Sequence, residues 1–178
     1  KQLEKKINKE YKTGNVKSAI ELCQIGLQDD PTNADLHVRL GDLYLAWHLD
    51  IYNSCQYIDE AITEYQLAME SLIDSHEIYY KLGVAFYHKG ELDKAINYFT
   101  MALEKKKNYY DAYYMLAETF VKKAHFTDAI DAAEGAVICS KLRSSSAHFL
   151  LCKLYEASSF KNTKIKLKAF NDKMLSIL

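Results

Sequence analysis

The four cysteines and six histidines are the side chains of this sequence best suited to metal or redox chemistry. Cys23, Cys55, Cys139 and Cys152 contain no Cys-x-x-Cys pair, and no histidine stands at a metal-ligand spacing from them. They are expected to be buried free thiols, which fits a reducing compartment, and no cofactor or metal is expected. An acid–base pair can be drawn from Asp35 and Asp42, or from Glu77 and His88, but solvated charges on helix faces account for these residues better. The sequence has no glycine-rich phosphate loop, HExxH or GxSxG. The chain is therefore expected not to be an enzyme.

Composition narrows the elements that could position any site. Six glycines and one proline in 178 residues are too few for the turns of a sandwich, barrel or doubly wound sheet, so the fold is expected to be all-α. The 23 basic and 24 acidic residues leave a formal charge of −1, which provides no general attraction for nucleic acid or an anionic membrane. Lys105-Lys106-Lys107 is too short a run to change that. No stretch approaches the roughly 18 apolar residues of a spanning helix, and the lysines at Lys1, Lys5 and Lys6 precede no apolar signal-peptide core. A cytoplasmic location is expected. The absence of an initial methionine points to a fragment or processed form.

The chain repeats itself. Leu82-Gly83 recurs as Leu116-Ala117 and Leu150-Leu151, and Phe86 as Phe120 and Leu154, at a step of 34 residues. Ala95 recurs as Ala129, Phe99 as Ala133 and Ala102 as Ala136 at the same step. Toward the start, Gly41, Tyr44, Ala61, Tyr65 and Ala68 continue the columns, and Ala19, Cys23 and Gly26 continue the last three of them. Eight extra residues lie between Tyr44 and Ala61, in a stretch that includes Trp47-His48-Leu49-Asp50-Ile51-Tyr52. Within each unit, apolar residues at helical spacing form two stripes separated by a turn: Tyr79, Leu82, Phe86 and Tyr87, then Lys89-Gly90-Glu91, then Ala95, Ile96, Phe99, Ala102 and Leu103. Gly83, Ala95 and Ala102 let helix backbones approach while Phe86 and Phe99 fill the space beside them. A lone helix pair cannot bury both faces, so neighbouring pairs must stack.

These columns resemble the tetratricopeptide repeat, with Tyr79, Leu82-Gly83, Phe86, Gly90, Ala95, Phe99 and Ala102 matching almost in full. The next unit keeps Tyr113, Leu116, Phe120, Ala129 and Ala136 but has Ala117 and Ala124 where glycine is usual. The closing proline survives only as Pro31, with Lys107 and Lys141 in the equivalent columns. The resemblance implies a right-handed α-α superhelix of stacked antiparallel helix pairs, a single solenoid over 1–178. Its units are 1–33, 34–75 with the insertion, 76–109, 110–143 and a degenerate 144–178. Lys161, Lys164, Lys166, Lys168 and Lys173 suit a polar capping helix, whereas the apolar end Leu175-Ile177-Leu178 suits a junction to further repeats.

The resemblance also implies a protein-binding scaffold or adaptor, in which the first helix of each unit lines a concave groove for a peptide or amphipathic helix of a partner protein. The groove columns carried over include Glu4, Lys5 and Asn8, then Asp35, Arg39 and Asp42. The third unit contributes Glu77, Tyr80, Lys81, Val84 and Tyr87, the fourth Tyr114, Met115, Glu118, Val121 and Lys122, and the fifth Phe149. The aromatic content of the later units suits an amphipathic guest, although these tyrosines equally suit packing between helices. A clamp for a chaperone's C-terminal carboxylates is not expected, because Glu4 and Glu77 stand in its cationic columns. The insertion is expected either to lengthen both helices of its unit or to protrude as a loop. Trp47, Tyr52 and Tyr57 are expected to pack inside it; exposed, they would form a second partner site. The other roles open to the chain are self-association through the insertion or a solenoid end, and regulation of a larger enzyme.

Overall fold

The structure, a computed structural model, describes residues 2–50, 56–140 and 144–157. Every element among them is a helix: α1 (Gln2–Lys12), α2 (Val16–Asp29), α3 (Ala34–Asp50), α4 (Gln56–Ser71), α5 (His76–Lys89), α6 (Leu92–Lys105), α7 (Tyr110–Lys122), α8 (Phe126–Cys139) and α9 (Ser145–Ala157). This is the all-α helix-pair repeat architecture expected from the columns. The chain divides into two compact units, Lys1–Tyr98 and Phe99–Leu178. In the first, α1 packs on α2, α2 on α3, α3 on α4 and α4 on α5. In the second, α7 packs on α8 and α8 on α9.

The sequence columns are the core. Ala19, Ala61, Ala95 and Ala129 are all fully buried, as are Cys23, Tyr65, Phe99 and Ala133, and Ala68, Ala102 and Ala136. Small residues at these positions let helices approach closely, and the larger residues of the neighbouring column close the space. In the first unit a fully buried Tyr65 lies over Gly41 of α3, where an added Cβ would meet its ring at 2.6 Å. The ring of Phe86 stacks on Tyr98 at 5.3 Å, joining α5 to α6.

The turn between the two helices of a repeat has one recurring form. The amide of Gly90 donates to the Tyr87 carbonyl and that of Glu91 to the Phe86 carbonyl, which closes α5 with Gly90 left-handed at φ 86°. Gly14 and Asn15 repeat this after α1, donating to Tyr11 and Glu10, with Gly14 at φ 82°. Ala124 and His125 repeat it after α7, donating to Val121 and Phe120, but here an alanine holds φ 58°. A side chain in this region costs about 1–2 kcal/mol, partly offset by the greater freedom glycine gives the unfolded chain. Ala124→Gly is therefore expected to stabilise the protein by about 0.5–1 kcal/mol. A rise in the urea midpoint with an unchanged slope would show it, and an unchanged or lower midpoint would refute the strain.

The insertion lengthens helices. α3 has 17 residues and α4 has 16, against 14 in each of α5 and α6. Where the two helices lengthen, Trp47 stacks on Tyr57 at 5.4 Å, and the column residue Tyr44 stacks on Tyr57 at 6.2 Å. Tyr44 also accepts a hydrogen bond from Gln24 of α2. Ile51, Tyr52 and Cys55 lie outside the described residues, as do the lysine-rich segment and the apolar end at 161–178. Of the thiols expected to be buried, Cys23 is; Cys139 is half-buried and Cys152 exposed, because its position on α9 faces away from Leu151, Leu154 and Tyr155. Burial pushes the Cys23 thiol up to about 11, with Glu64 adding to the rise and Arg39 opposing it.

Candidate functional site

The groove residues of the first compact unit converge. Leu3, Glu4, Ile7 and Asn8 of α1 face Asn33, Asp35, Leu36 and Arg39 at the start of α3 across a cleft of about 380 Å3. Its floor is apolar, since Ile7 and Leu36 are buried, and its rim is polar. The wall at Asn33 is set by helix capping. The Asn33 carboxamide oxygen accepts the Leu36 amide, and its nitrogen donates to Asp30. That fixes where α3 begins and hence where Asp35 and Arg39 stand.

Arg39 is shared with a second, smaller cleft of about 150 Å3, formed with Tyr11, Asp42 and Leu43. Its guanidinium lies over the Tyr11 ring, 5.8 Å from the centroid. It forms no ion pair with a carboxylate among the described residues, although Glu4, Asp35 and Asp42 line the same two clefts. A guanidinium carries five donors, so most of those of Arg39 are open to an acceptor brought by another molecule.

Asp42 is committed to its neighbours. Its Oδ1 accepts from the Tyr65 hydroxyl at 2.8 Å and from Lys81 Nζ at 2.6 Å. Burial holds the Tyr65 hydroxyl protonated far above its ordinary range, and the charge and hydrogen bond of Asp42 act in the same direction. Lys81 thus reaches from α5 to α3, fixing one first helix against the next, with much of its charge spent on Asp42. Of the remaining third-unit positions, Glu77 is exposed, and Tyr80, Val84 and Tyr87 are half-buried. Tyr87 meets the His88 ring edge-on at 5.4 Å.

The second compact unit has its own groove positions. Tyr114 is half-buried and stacks on Tyr110 at 6.1 Å. Met115, Glu118 and Val121 are half-buried and Lys122 is exposed. Phe149 of α9 is 62% exposed, with Lys153 Nζ 4.4 Å above its ring. On the same helix Tyr155 is buried and donates its hydroxyl to Glu134 of α8.

The site residues not singled out from the sequence are Tyr11, Asn33 and Tyr65, together with the apolar cleft residues Leu3, Ile7, Leu36 and Leu43. Tyr11 stands three positions after Asn8, on the same face of α1, and Asn33 stands three before Leu36, a capping spacing, so both carried a local signal. Tyr65 was legible as core, but nothing local marks its hydroxyl as the partner of Asp42. No three His, Cys, Asp or Glu side chains converge to hold a metal ion among the described residues. No helix among them is long and apolar enough to cross a membrane.

Comparison with known proteins agrees with this architecture. No curated protein matches the chain in sequence. Among solved structures, the crystal structure of MamA matches with a TM-score of 0.76 at 23% identity, covering 96% of this chain and 92% of that one. A MamA RS-1 double mutant matches with a TM-score of 0.78 at 11% identity, covering 98% and 93%. TTC0263, a thermophilic TPR protein of Thermus thermophilus, matches with a TM-score of 0.71 at 16% identity, covering 83% and 77%. These likenesses are of fold. The tetratricopeptide repeat family model matches residues 76–109, the unit whose columns are the most complete. The chain thus carries a tetratricopeptide repeat at residues 76–109, within a helical-repeat fold shared with solved structures that include a TPR protein.

Proposed function

We propose that the chain is a non-catalytic interaction scaffold that takes a peptide segment or helix of a partner protein along the first helices of its repeats. The observation that carries the reading is Arg39, a guanidinium without a carboxylate partner among the described residues, shared by two adjoining clefts. An apolar side chain of the partner would rest on Leu3, Ile7 and Leu36, while Arg39 and Asn8 meet a carbonyl or carboxylate beside it. Asp42 and Lys81 serve by holding α3 and α5 in place, each being the other's partner. Within the first unit the half-buried Tyr80, Val84 and Tyr87 and the exposed Glu77 offer further contact, and the second unit presents a set of its own in Tyr114, Met115, Glu118, Val121, Lys122 and Phe149.

The test is affinity capture with the intact chain, with Arg39→Ala and with Lys153→Ala, each checked by circular dichroism. A protein retained by the wild type and by Lys153→Ala is expected to bind Arg39→Ala at least about tenfold more weakly, the loss typical of a central arginine contact. Equal affinity for all three would remove the clefts around Arg39 from the reading. A mass that rises with concentration in the absence of any other protein would favour self-association.

A further inference from the structure

His37, in the first turn of α3, is only 8% exposed, and both of its ring nitrogens are engaged. Nδ1 lies 2.6 Å from Glu64 Oε2 on α4, and Nε2 lies 2.9 Å from the backbone carbonyl oxygen of Pro31 in the turn after α2. The carbonyl is an acceptor only, and so is the carboxylate of Glu64 when ionised. A neutral imidazole has a single N–H, and whichever tautomer it adopts points a lone pair at another acceptor. Only the imidazolium satisfies both contacts at once.

We propose that His37 is a charged pin: as an imidazolium it donates to Glu64 and to Pro31 together, fastening the α2–α3 turn to α4, and loss of its proton lets that turn go.

The surroundings are consistent with this from each side. α4 presents Glu64 and Glu70, both anions. On α2 the Cys23 thiol, which its burial keeps neutral until about 11, brings no charge to the neighbourhood of Glu64. In the turn, Asp30 is occupied by hydrogen bonds from Thr32 and Asn33. On α3 itself the nearest charges along the chain are Asp35 and Arg39, two residues to either side. Burial of the ring works against its charge. The hydrogen bonds to Glu64 and Pro31, with the negative charges of Glu64 and Glu70, outweigh it and raise the histidine above its ordinary pKa. A raised folded pKa gives stability that is complete below the unfolded value of about 6.5 and is lost as pH climbs through the folded value.

The pin reaches further than its own contacts. The turn it fastens continues into Asn33, Asp35 and Leu36, which form one wall of the cleft around Arg39. The pinning stands on its own geometry, independent of what that cleft binds.

The test is nitrogen NMR of the intact chain, with the His37 resonances assigned by their absence in His37→Gln. Near neutral pH, both ring nitrogens are expected at imidazolium shifts, and the ring is expected to titrate above the ordinary value of about 6.5. Glu64→Gln is expected to lower that pKa. The melting temperature of the wild type should fall between about pH 6 and about pH 9 more than that of His37→Gln, in which this titration is gone. A neutral tautomer near pH 7, a pKa at or below the ordinary value, or identical pH profiles for wild type and variant would overturn the proposal. Should His37→Gln fail to fold, the wild-type titration compared with Glu64→Gln decides it alone.

Discussion

Phe99→Ala is expected to destabilise the protein by about 3–5 kcal/mol, the range for removing a fully buried aromatic ring. Phe99 is 0% exposed, and the core residues one turn away on α6, Ala95 and Ala102, are alanines that are fully buried themselves. Alanines have no rotamers with which to fill the vacated volume, so the site relaxes little and most of the cavity remains. The same column holds Ala133 in α8, also fully buried. A small residue is thus compatible with the position where its neighbours are sized for it; the penalty arises from the mismatch with an environment built around a ring. Phe126→Ala is the comparison: its side chain is 42% exposed, and its loss is expected to cost far less. Urea unfolding of both variants checks the pair, and comparable losses would show that burial does not set the difference.

Gly41→Val is expected to cost about 3 kcal/mol or more, at the upper end of overpacking penalties. A Cβ at Gly41 would lie 2.6 Å from Tyr65 Cε1 and 2.8 Å from Cδ1. Tyr65 has no room to yield, because its ring is fully buried and its hydroxyl is tied to Asp42. Moving the ring would break that hydrogen bond and leave a buried hydroxyl without an acceptor, adding about 1–3 kcal/mol. Two other glycines are crowded at the same nominal distance. At Gly135 the obstacle is Tyr113, which is half-buried and has a path toward solvent; at Gly26 it is the tips of Leu3 and Leu36. Valine at either is expected to cost less than at Gly41. Tyr65→Leu combined with Gly41→Val should recover part of the loss, since the two residues are in direct contact. Strict additivity of the two single changes would mean that the Gly41–Tyr65 contact is not the cause.

Both predictions concern positions that recur along the chain, and recurrence is what makes a position legible in sequence. Leu40, Leu82 and Leu116, the Ala19–Ala61–Ala95–Ala129 column and the turn glycines Gly14 and Gly90 can be read from spacing alone. A repeat packs mainly on its neighbours, so each unit poses the same steric problem and is solved by residues of the same kind at the same step. That recurrence determined the helix pairs, their approximate boundaries and the core. The resemblance marked Ala124 as the exception in the glycine turn, where the structure shows the left-handed conformation held by an alanine. The groove columns came with the resemblance, which named positions without saying what each side chain does.

The polar contacts were decided by tertiary structure. Asp42 meets Tyr65 across 23 positions and Lys81 across 39, and His37 meets Glu64 across 27; none of these separations is the repeat step. Such pairs form once, between residues that differ from unit to unit, so no column announces them. The sequence placed Asn8, Arg39, Asp42 and Lys81 on first helices as equals. Packing separated them, giving Asp42 and Lys81 to each other and leaving Arg39 between two clefts with its donors open. Hydrophobic burial needs only the right size on the right face, which a periodic sequence can specify. A hydrogen bond or ion pair requires two particular atoms within about 3 Å, and that condition is met only once the helices have docked.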